Sequence, residues 1–187
     1  MENDIINSLK VLLNGGVILY PTDTIWGLGC DATNIAAIER VYKIKRRQDK
    51  HSMLILLSDI KELSKYVTQI PRKAIKLIES SVHPVTIIYP SAQNLPQNIL
   101  AEDQSIGIRI TEDPFCSELI SRFGKPLVST SANLSGSRNP GNFSEIEDEV
   151  IMEADWVVRW RQNDNIRSVP STIYKIDKNG KGVIIRK

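Results

Sequence analysis

One short stretch places ligand-binding residue types directly after an apolar run. Residues 17–32 read VILYPTDTIWGLGCDA, and the first four residues are typical of a strand buried on both faces. Pro21 has no amide hydrogen to donate, so it ends the strand. The turn 22–24 then offers two hydroxyls and a carboxylate at a strand end, where ligands bind in open α/β sheets. Gly27 and Gly29 would allow tight turns near a ligand, although an ordinary polar turn explains the pattern equally well.

A second stretch, residues 43–51, concentrates cations at the end of a predicted helix. Its basic residues are Lys43, Lys45, Arg46, Arg47, Lys50 and His51. Arginine and lysine bind phosphate and carboxylate groups, and such a patch can also contact RNA phosphates. Cations near a helix C-terminus favour the helix dipole by roughly 0.3–1 kcal/mol each without any ligand. This cluster exceeds what capping requires, so a small anion and RNA both stay open.

Two further stretches have polar residues in or after apolar strands. Arg109 lies within SIGIRI, where an unpaired buried charge would be costly. It therefore pairs either with an internal carboxylate or with an anionic ligand. In PLVSTSANLSG an apolar run leads into Ser129, Thr130, Ser131 and Asn133. Small hydroxyls and backbone amides at a strand end can hold phosphate or carboxylate oxygens, although a serine-rich turn that caps a helix is common.

Several well-known kinds of site are not indicated. The chain has no GxxxxGK[ST], GxGxxG or GxSxG motif. Its histidines are His51 and His83, and neither is near the serines in sequence, so nothing points to a Ser-His-Asp triad. Cys30 and Cys116 are far apart, which argues against a zinc site or a disulfide framework. We therefore predict no metal held by side chains.

Composition favours an intracellular globular protein. The 187 residues suit one domain, and 41% hydrophobic with 25% charged residues is typical of a soluble fold. A net charge of +2 is too small to indicate nucleic-acid binding by bulk charge. The polar first residues are unlike a signal peptide, and no apolar run approaches the ~20 residues that span a bilayer. We predict a cytoplasmic location.

Hydrophobic periodicity predicts alternating helices and strands. Helices are predicted in six stretches: 4–14, 34–47, 59–67, 71–81, 114–123 and 144–154. Asn34 is predicted to be an N-cap and Pro71 a first helical residue, and capping boxes are predicted at 59–62 and 144–147. Strands are predicted in 17–20, 53–57, 84–90, 105–110, 126–131 and 156–159, with a hairpin over 171–187 around its Asn-Gly pair. We expect a mixed sheet with helices packed on it. Irregular stretches at 91–104, 135–145 and 161–168 are predicted to be mobile loops over a site.

The motifs together are more specific than any one alone. In chain order they are YPTDTIWGLGCDA, IKRR, MLILL, HPVTIIYP, SIGIRI, PLVSTSANLSG and PSTI. In this order the chain resembles the YrdC-type threonylcarbamoyl-AMP synthases over residues 17–186. The resemblance implies a YrdC/RibB-like α/β fold (α+β type), a twisted mixed sheet with helices around a large, basic, concave cavity. It also implies one domain over residues 1–187, without the extra C-terminal domain of longer members.

The resemblance also implies an activity. Members combine L-threonine, bicarbonate or CO2, and ATP into L-threonylcarbamoyladenylate and pyrophosphate. Other proteins then pass the threonylcarbamoyl group to adenosine 37 of tRNAs that read codons starting with A. ATP would be a substrate with Mg²⁺ on its phosphates, held by few or no protein ligands, and no tightly bound cofactor is expected.

Site residues carry over from the family's pattern. A threonine pocket would comprise Thr24, Arg109, Ser129 and Ser171, with Arg109 on the substrate carboxylate. The ATP side would comprise Lys45, Arg47, His51, Ser105, Ser131, Asn139 and Arg186, with Lys45 and Arg47 on the phosphates. No residue is assigned as a general base. The chain departs from the family where Gln48 replaces a usual proline, and at 82–84, where Val-His-Pro replaces a usual Pro-Gly-Pro.

Two rival functions remain at this point. One is a non-enzymatic RNA-binding module that uses the Lys43–His51 cluster, for which RNA affinity would depend steeply on salt. The other is a related domain that forms a different carbamoyl adenylate, since threonine specificity depends on the shape of the pocket.

Overall fold

A computed structural model describes residues 1–47, 53–177 and 180–187, and nine strands in these ranges form one mixed sheet. The strands are β1 (Ile18–Tyr20), β2 (Gly27–Gly29), β3 (Leu54–Leu57), β4 (Val85–Tyr89), β5 (Ile106–Ile110), β6 (Leu127–Ser131), β7 (Trp156–Val157), β8 (Thr172–Ile176) and β9 (Gly182–Arg186). Their order across the sheet is β7-β1-β2-β6-β3-β5-β4-β8-β9. The β1–β7, β3–β5 and β4–β8 pairs are parallel, whereas the other neighbours are antiparallel. The predicted mixed sheet is confirmed.

Six α-helices accompany the sheet within the described ranges. They are α1 (Glu2–Leu13), α2 (Ile35–Ile44), α3 (Leu63–Tyr66), α4 (Arg72–Ser80), α5 (Pro114–Phe123) and α6 (Asp148–Glu153). Asn34 caps α2 as predicted, since its side-chain oxygen accepts a hydrogen bond from the Ala37 amide. Gly124 ends α5 in the left-handed conformation at φ +71, which glycine adopts without steric cost. In the described part, no helix is both long and apolar enough to cross a membrane.

Side-chain alternation separates the core from a polar face of the sheet. In β5, Ile106 and Ile108 are buried in the hydrophobic core, while Gly107 and Arg109 point to the opposite face. Helices α1, α2 and α5 cover the core with fully or nearly fully buried apolar residues: Ile5, Leu12, Ile38, Val41, Phe115 and Leu119. Burial of this apolar area is the main stabilising contribution. It leaves the other face of the central strands free to line a site.

Three local predictions about helix starts need correction. Pro71 precedes α4 in an extended conformation, because its ψ of 139° is not helical, so the helix begins one residue later. The predicted capping box at 144–147 does not form, since Ser144 lies in a separate 3-10 turn and the Glu147 carboxylate accepts a hydrogen bond from the Leu134 amide instead. In the 59–62 stretch, Asp59 does cap the turn, but Glu62 pairs with Lys65.

Gly27 and Gly29 were predicted to form turns and instead lie in strand β2. A Cβ on Gly29 would lie 2.6 Å from both the Tyr20 ring and the Val128 carbonyl oxygen. These glycines therefore serve close packing between β1, β2 and β6 rather than a left-handed turn. The C-terminal hairpin of β8 and β9 is confirmed, although part of its predicted Asn-Gly turn lies outside the described residues.

Candidate functional site

A cavity of about 270 Å³ opens on the polar face of the sheet. Eight residues predicted from sequence line it: Thr24, Arg47, Arg109, Ser129, Ser131, Asn139, Ser171 and Arg186. They come from the turn after β1, the end of α2, strands β5, β6 and β9, and the segments before β8 and after β6. Three of them are arginines, and no carboxylate belongs to the described lining. The cavity therefore suits a ligand that carries negative charge.

Arg109 is both paired with an internal carboxylate and exposed to the cavity. Its side chain is only 3% exposed, and its Nη2 lies 3.2 Å from Asp23 Oδ1. Its Nη1 donates a hydrogen bond to Thr24 Oγ1 at 3.0 Å. Its Nε makes no hydrogen bond to any described residue. The two alternatives left open by the sequence are thus compatible, because the guanidinium has donors to spare.

Asp23 is a weak counter-ion for Arg109. Burial raises the pKa of the Asp23 carboxyl; Arg109 opposes this effect, and nearby Asp113 adds to it. The Thr111 hydroxyl donates to Asp23 Oδ2 at 3.3 Å, which is a long contact. Because this ion pair is not fully hydrogen-bonded, Arg109 can still bind a second carboxylate on its cavity side.

The turn after β1 is held by its own hydroxyl groups. The Thr22 hydroxyl donates to the Ile25 carbonyl at 2.8 Å and accepts from the Thr24 amide at 3.0 Å. The hydroxyls of Thr22 and Thr24 are 2.9 Å apart, and both side chains are buried. This is a local side-chain-to-backbone turn of the kind that Ser, Thr and Asp favour, and it presents Thr24 to the cavity.

Strands β4, β8 and β9 follow β5 in the sheet and contribute further lining residues. The hydroxyl oxygens of Ser171 and Thr86 are 2.8 Å apart. Arg186 Nε and Nη2 donate to the Ser171 carbonyl at 3.3 and 3.0 Å. Burial, and then the charge of Arg109, lowers the pKa of Arg186. Thr86 was missed from the sequence, although a polar residue at an alternating position in PVTIIYP was a usable signal.

Lys45 lies behind the cavity wall rather than in it. Its ammonium Nζ donates to the Ser131 and Asn133 carbonyls at 2.6 and 2.8 Å, and its side chain is buried. Burial, helped by Arg47, lowers the pKa of Lys45 to about 8. The structure thus brings Lys45 to the end of β6. A contact between Lys45 and ATP phosphates remains a prediction.

One other predicted residue of the described part, Ser105, is not gathered at the cavity. Ser105 shares the cavity face of β5 by alternation but lies outside the lining, and its hydroxyl donates to Asp103 Oδ1 at 2.5 Å. Lys175 also binds Asp103 at 2.6 Å, and these two partners lower the pKa of Asp103 to about 2. His51 lies outside the described residues, as do Lys50 and Gln48.

The basic cluster is only partly available for a ligand. Arg46 forms an ion pair with Glu149, and Lys45 is bound as described above. Arg47 lines the cavity, and its guanidinium lies 6.0 Å from the centre of the Tyr42 ring. Of the residues that the structure describes, none form a group of three or more histidines, cysteines or carboxylates that could hold a metal ion.

Sequence comparison places the chain in a family. The Sua5/YciO/YrdC family model, described as "Telomere recombination", matches residues 10–187. The chain belongs to this family. It is 35% identical over 183 residues to a threonylcarbamoyl-AMP synthase of Pseudoalteromonas translucida, covering 96% of each chain. It is 37% identical over 169 residues to a putative threonylcarbamoyl-AMP synthase of Methanocaldococcus jannaschii, covering 90% of this chain and 78% of the relative.

Solved structures of the Sua5/YciO/YrdC family share its fold. E. coli YciO superposes with a TM-score of 0.86 at 26% identity, over 100% of this chain and 90% of the other. P. abyssi Sua5 complexed with L-threonine superposes with a TM-score of 0.85 at 20% identity, over 97% of this chain. The chain spans about half the length of that Sua5 protein, 53%. These likenesses confirm the predicted fold class.

Proposed function

We propose that this chain is an L-threonylcarbamoyladenylate synthase, a nucleotidyltransferase that joins L-threonine, bicarbonate or CO2, and ATP. The observation that carries the proposal is one cavity in which the buried Arg109 and Thr24 lie together with hydroxyl groups and two further arginines. Relatives of similar length are named threonylcarbamoyl-AMP synthases, and a structural neighbour is complexed with L-threonine. We also propose that residues 1–187 act as one domain, since the cavity takes residues from segments along most of that length.

The corner around Arg109 suits the amino acid. Arg109 would bind the substrate carboxylate through its cavity side, since a guanidinium fork matches a carboxylate. Thr24 is hydrogen-bonded to Arg109, and Ser129 and Ser171 belong to the same lining. Gly27 leaves room there, because a Cβ at that position would lie 3.3 Å from Ser129 Oγ. A small, zwitterionic ligand with a hydroxyl fits these groups.

The side with Arg47 suits the nucleotide. Arg47, Ser131, Asn139 and Arg186 also line the cavity. Arginine side chains and the backbone amides at the end of β6 would hold phosphate oxygens. A structural neighbour, HypF, is described in a phosphate- and nucleotide-bound form, at a TM-score of 0.83 and 20% identity over 98% of this chain. Lys45, His51 and Ser105 stay assigned to this side as predictions, with Lys45 and Ser105 set back from the cavity.

The proposed chemistry needs positioning rather than an enzyme nucleophile. The threonine amine adds to CO2 and loses a proton, which gives a carbamate. A carbamate oxygen then attacks the α-phosphorus of ATP, and the bond to pyrophosphate breaks. Mg²⁺ on the ATP phosphates would neutralise charge on the leaving pyrophosphate. Arginines that hold both anions close together lower the barrier by orientation and electrostatic stabilisation. The product would serve the machinery that modifies adenosine 37 of tRNA.

The decisive experiment is a pyrophosphate-release assay with ATP, Mg²⁺ and bicarbonate, with and without L-threonine. We expect release only with threonine, together with an adenylate of the mass of threonylcarbamoyl-AMP. L-Serine and L-valine in place of threonine test the rival that another carbamoyl adenylate is formed. Release that is equal with all three amino acids would contradict threonine specificity.

The RNA-binding rival has its own signature. A tRNA titration at 50 and 200 mM salt would show a steep loss of affinity if the Lys43–His51 cluster bound phosphates. We expect weak RNA binding, because Arg46 and Lys45 are already paired. A folded protein that binds tRNA tightly and releases no pyrophosphate would favour the rival.

A further inference from the structure

A chain of buried hydroxyls runs from Arg109 away from the cavity. Arg109 Nη1 donates to Thr24 Oγ1 at 3.0 Å, and that oxygen is 2.9 Å from Thr22 Oγ1. Thr22 Oγ1 is in turn 2.8 Å from the carbonyl oxygen of Ile25. Thr22 is 2% exposed and Thr24 is 5% exposed, so bulk water does not compete for these groups. Thr22 does not belong to the cavity lining.

The directions of these hydrogen bonds follow from the number of hydrogens. A hydroxyl has one hydrogen to donate and two lone pairs to accept. A carbonyl oxygen can only accept, so the contact between Thr22 and Ile25 uses the hydrogen of Thr22. The hydrogen between Thr22 and Thr24 must then come from Thr24. In this arrangement Thr22 accepts from the amide and the hydroxyl of Thr24 and donates to Ile25, which uses all its capacity.

The reverse arrangement is less stable. If Thr22 donated to Thr24, the Ile25 carbonyl would lose the donor that it has among the described residues. A buried carbonyl without a donor has lost its hydrogen bonds to water and gained none in return, which is unfavourable. The hydrogen of Thr24 would also be released toward the cavity. The observed distances therefore favour one order of donation: Arg109 donates to Thr24, Thr24 donates to Thr22, and Thr22 donates to the Ile25 carbonyl.

We propose that Thr22 is a positioning residue that makes Thr24 a pure hydrogen-bond acceptor toward the substrate. This inference rests on the proposed function and deepens it. With its hydrogen given to Thr22 and one lone pair given to Arg109, Thr24 offers the cavity one lone pair. It accepts from an N–H or O–H group and repels a carboxylate oxygen. The carboxylate is thereby directed to Arg109, and the amino or hydroxyl group of the substrate to Thr24.

The test compares two substitutions at Thr22. Thr22→Val keeps the shape but frees the hydrogen of Thr24, so the KM for L-threonine should rise about five- to tenfold, as expected for one net hydrogen bond. The KM for ATP should stay within twofold of the wild type. Thr22→Ser keeps the hydroxyl and should restore the wild-type KM for threonine. Thr33→Val, which removes a hydroxyl bonded to Asp31 away from the cavity, is the matched control and should change neither constant.

The outcomes separate this role from a merely structural one and from the proposed function. The role of Thr22 would be overturned if Thr22→Val raised the KM for threonine and for ATP equally, or left both unchanged. It would also be overturned if Thr22→Ser did not restore the wild-type KM for threonine. A wild-type protein that makes no threonylcarbamoyl adenylate would contradict the proposed function instead. Neutron diffraction of the ligand-free protein then decides the inference without substrate. Hydrogens on the Thr22–Ile25 and Thr24–Thr22 lines would support it, and a Thr24 hydrogen directed into the cavity would overturn it.

Discussion

Arg109 is the side chain on which the amino-acid corner depends. It is buried, it keeps Asp23 as a partner, and it lines the cavity. A charge in this position costs free energy unless it is paired. Burial raises the pKa of Asp23, so the internal partner is poorly matched, and on the proposed assignment a substrate carboxylate would complete the pairing. The same residue would then contribute to the stability of the free protein and to ligand binding.

We predict that Arg109→Ala raises the KM for L-threonine roughly 100-fold, since a charged hydrogen-bonded contact contributes about 2–3 kcal/mol. Arg47→Ala should mainly raise the KM for ATP. Steady-state kinetics with each substrate varied in turn measures both. Because the alanine variant leaves Asp23 buried without its partner, Arg109→Lys is the companion variant, which keeps the charge but loses the fork. Unchanged threonine kinetics in both Arg109 variants would contradict the pocket assignment.

Lys45 makes stability depend on pH in a defined window. Its folded pKa is about 8, whereas a lysine in an unfolded chain titrates near ~10.4. Between these values the unfolded chain binds more protons, so the contribution of Lys45 to the free energy of unfolding rises with pH, by up to ~1.4 kcal/mol per pH unit. The hydrogen bonds to the Ser131 and Asn133 carbonyls survive deprotonation, because a neutral amine still has two N–H donors.

We predict that the unfolding free energy of the wild type, minus that of Lys45→Met, becomes more positive between pH 8 and 9.5. Below pH 7 this difference should be constant. Urea denaturation at half-unit pH steps measures this difference. Subtracting the variant removes the titration of buried tyrosines, which would otherwise lower stability at high pH. A difference that does not change with pH would show that the folded pKa of Lys45 is not lowered.

At the scale of elements, the β1–β2 hairpin is packed too closely for side chains on its second strand. Tyr20 crosses β2, and its hydroxyl donates to the Val128 carbonyl at 3.2 Å. Gly29 lies between the Tyr20 ring and the backbone of β6. This packing fixes where the turn 22–24 emerges, because β1 and β2 hold both of its ends. Gly29 therefore affects the site indirectly, because it allows the close packing of β1, β2 and β6 that sets the position of the turn 22–24.

We predict that Gly29→Ala lowers the free energy of unfolding by about 1–3 kcal/mol, the usual range for overpacking. The added Cβ would lie 2.6 Å from the Tyr20 ring and from the Val128 carbonyl. Gly182→Ala in β9 is the matched control, since its nearest contact would be an ordinary 3.5 Å. Equilibrium urea denaturation measures both. Equal, small effects of the two substitutions would show that β2 can move away from Tyr20 at little cost.

At the scale of the whole molecule, the segment between β7 and β8 joins distant parts of the chain. Arg161 Nη1 donates to the Thr22 carbonyl at 3.1 Å and pairs with Asp113 at 3.2 Å. Arg167 pairs with Glu145, and the Ser168 amide donates to the Gly141 carbonyl at 2.8 Å. The segment ends at Pro170 and Ser171 in the cavity lining. A ligand in the cavity would therefore contact parts of the fold that are far apart in sequence.

We predict that ligands stabilise the whole fold. L-Threonine and ATP, each at 100 times its dissociation constant, should each raise the unfolding free energy by about 2.7 kcal/mol. For a chain of this size the expected increase in Tm is roughly 5–10 °C. Differential scanning calorimetry with wild type and Arg109→Ala measures it. Arg109→Ala should lose the increase in Tm caused by threonine and keep the increase caused by ATP. If threonine raised the Tm of both proteins equally, threonine would bind at a site that does not involve Arg109.

The sequence by itself determined the class of fold and many of the polar residues that line the site. Periodicity predicted the helices and most strands, because apolar spacing is a local property that each element carries alone. The order of the motifs indicated the family, and eight of the predicted site residues do line one cavity. Strand β2 was missed, because its Gly-Leu-Gly sequence has no strand pattern and forms a strand only between β1 and β6.

Tertiary structure decided which partners these residues meet. Arg109 and Asp23 are paired although they are 86 positions apart, and the Ser171 hydroxyl contacts the Thr86 hydroxyl on the neighbouring strand β4. No local sequence pattern encodes these contacts. Lys45 shows the same limit. The sequence placed it in a basic run at the end of a helix, and only the fold shows that its ammonium group donates to two carbonyls at the end of β6. Residue types and spacing limit what chemistry is available, while the packing of distant strands decides which groups remain free to carry it out.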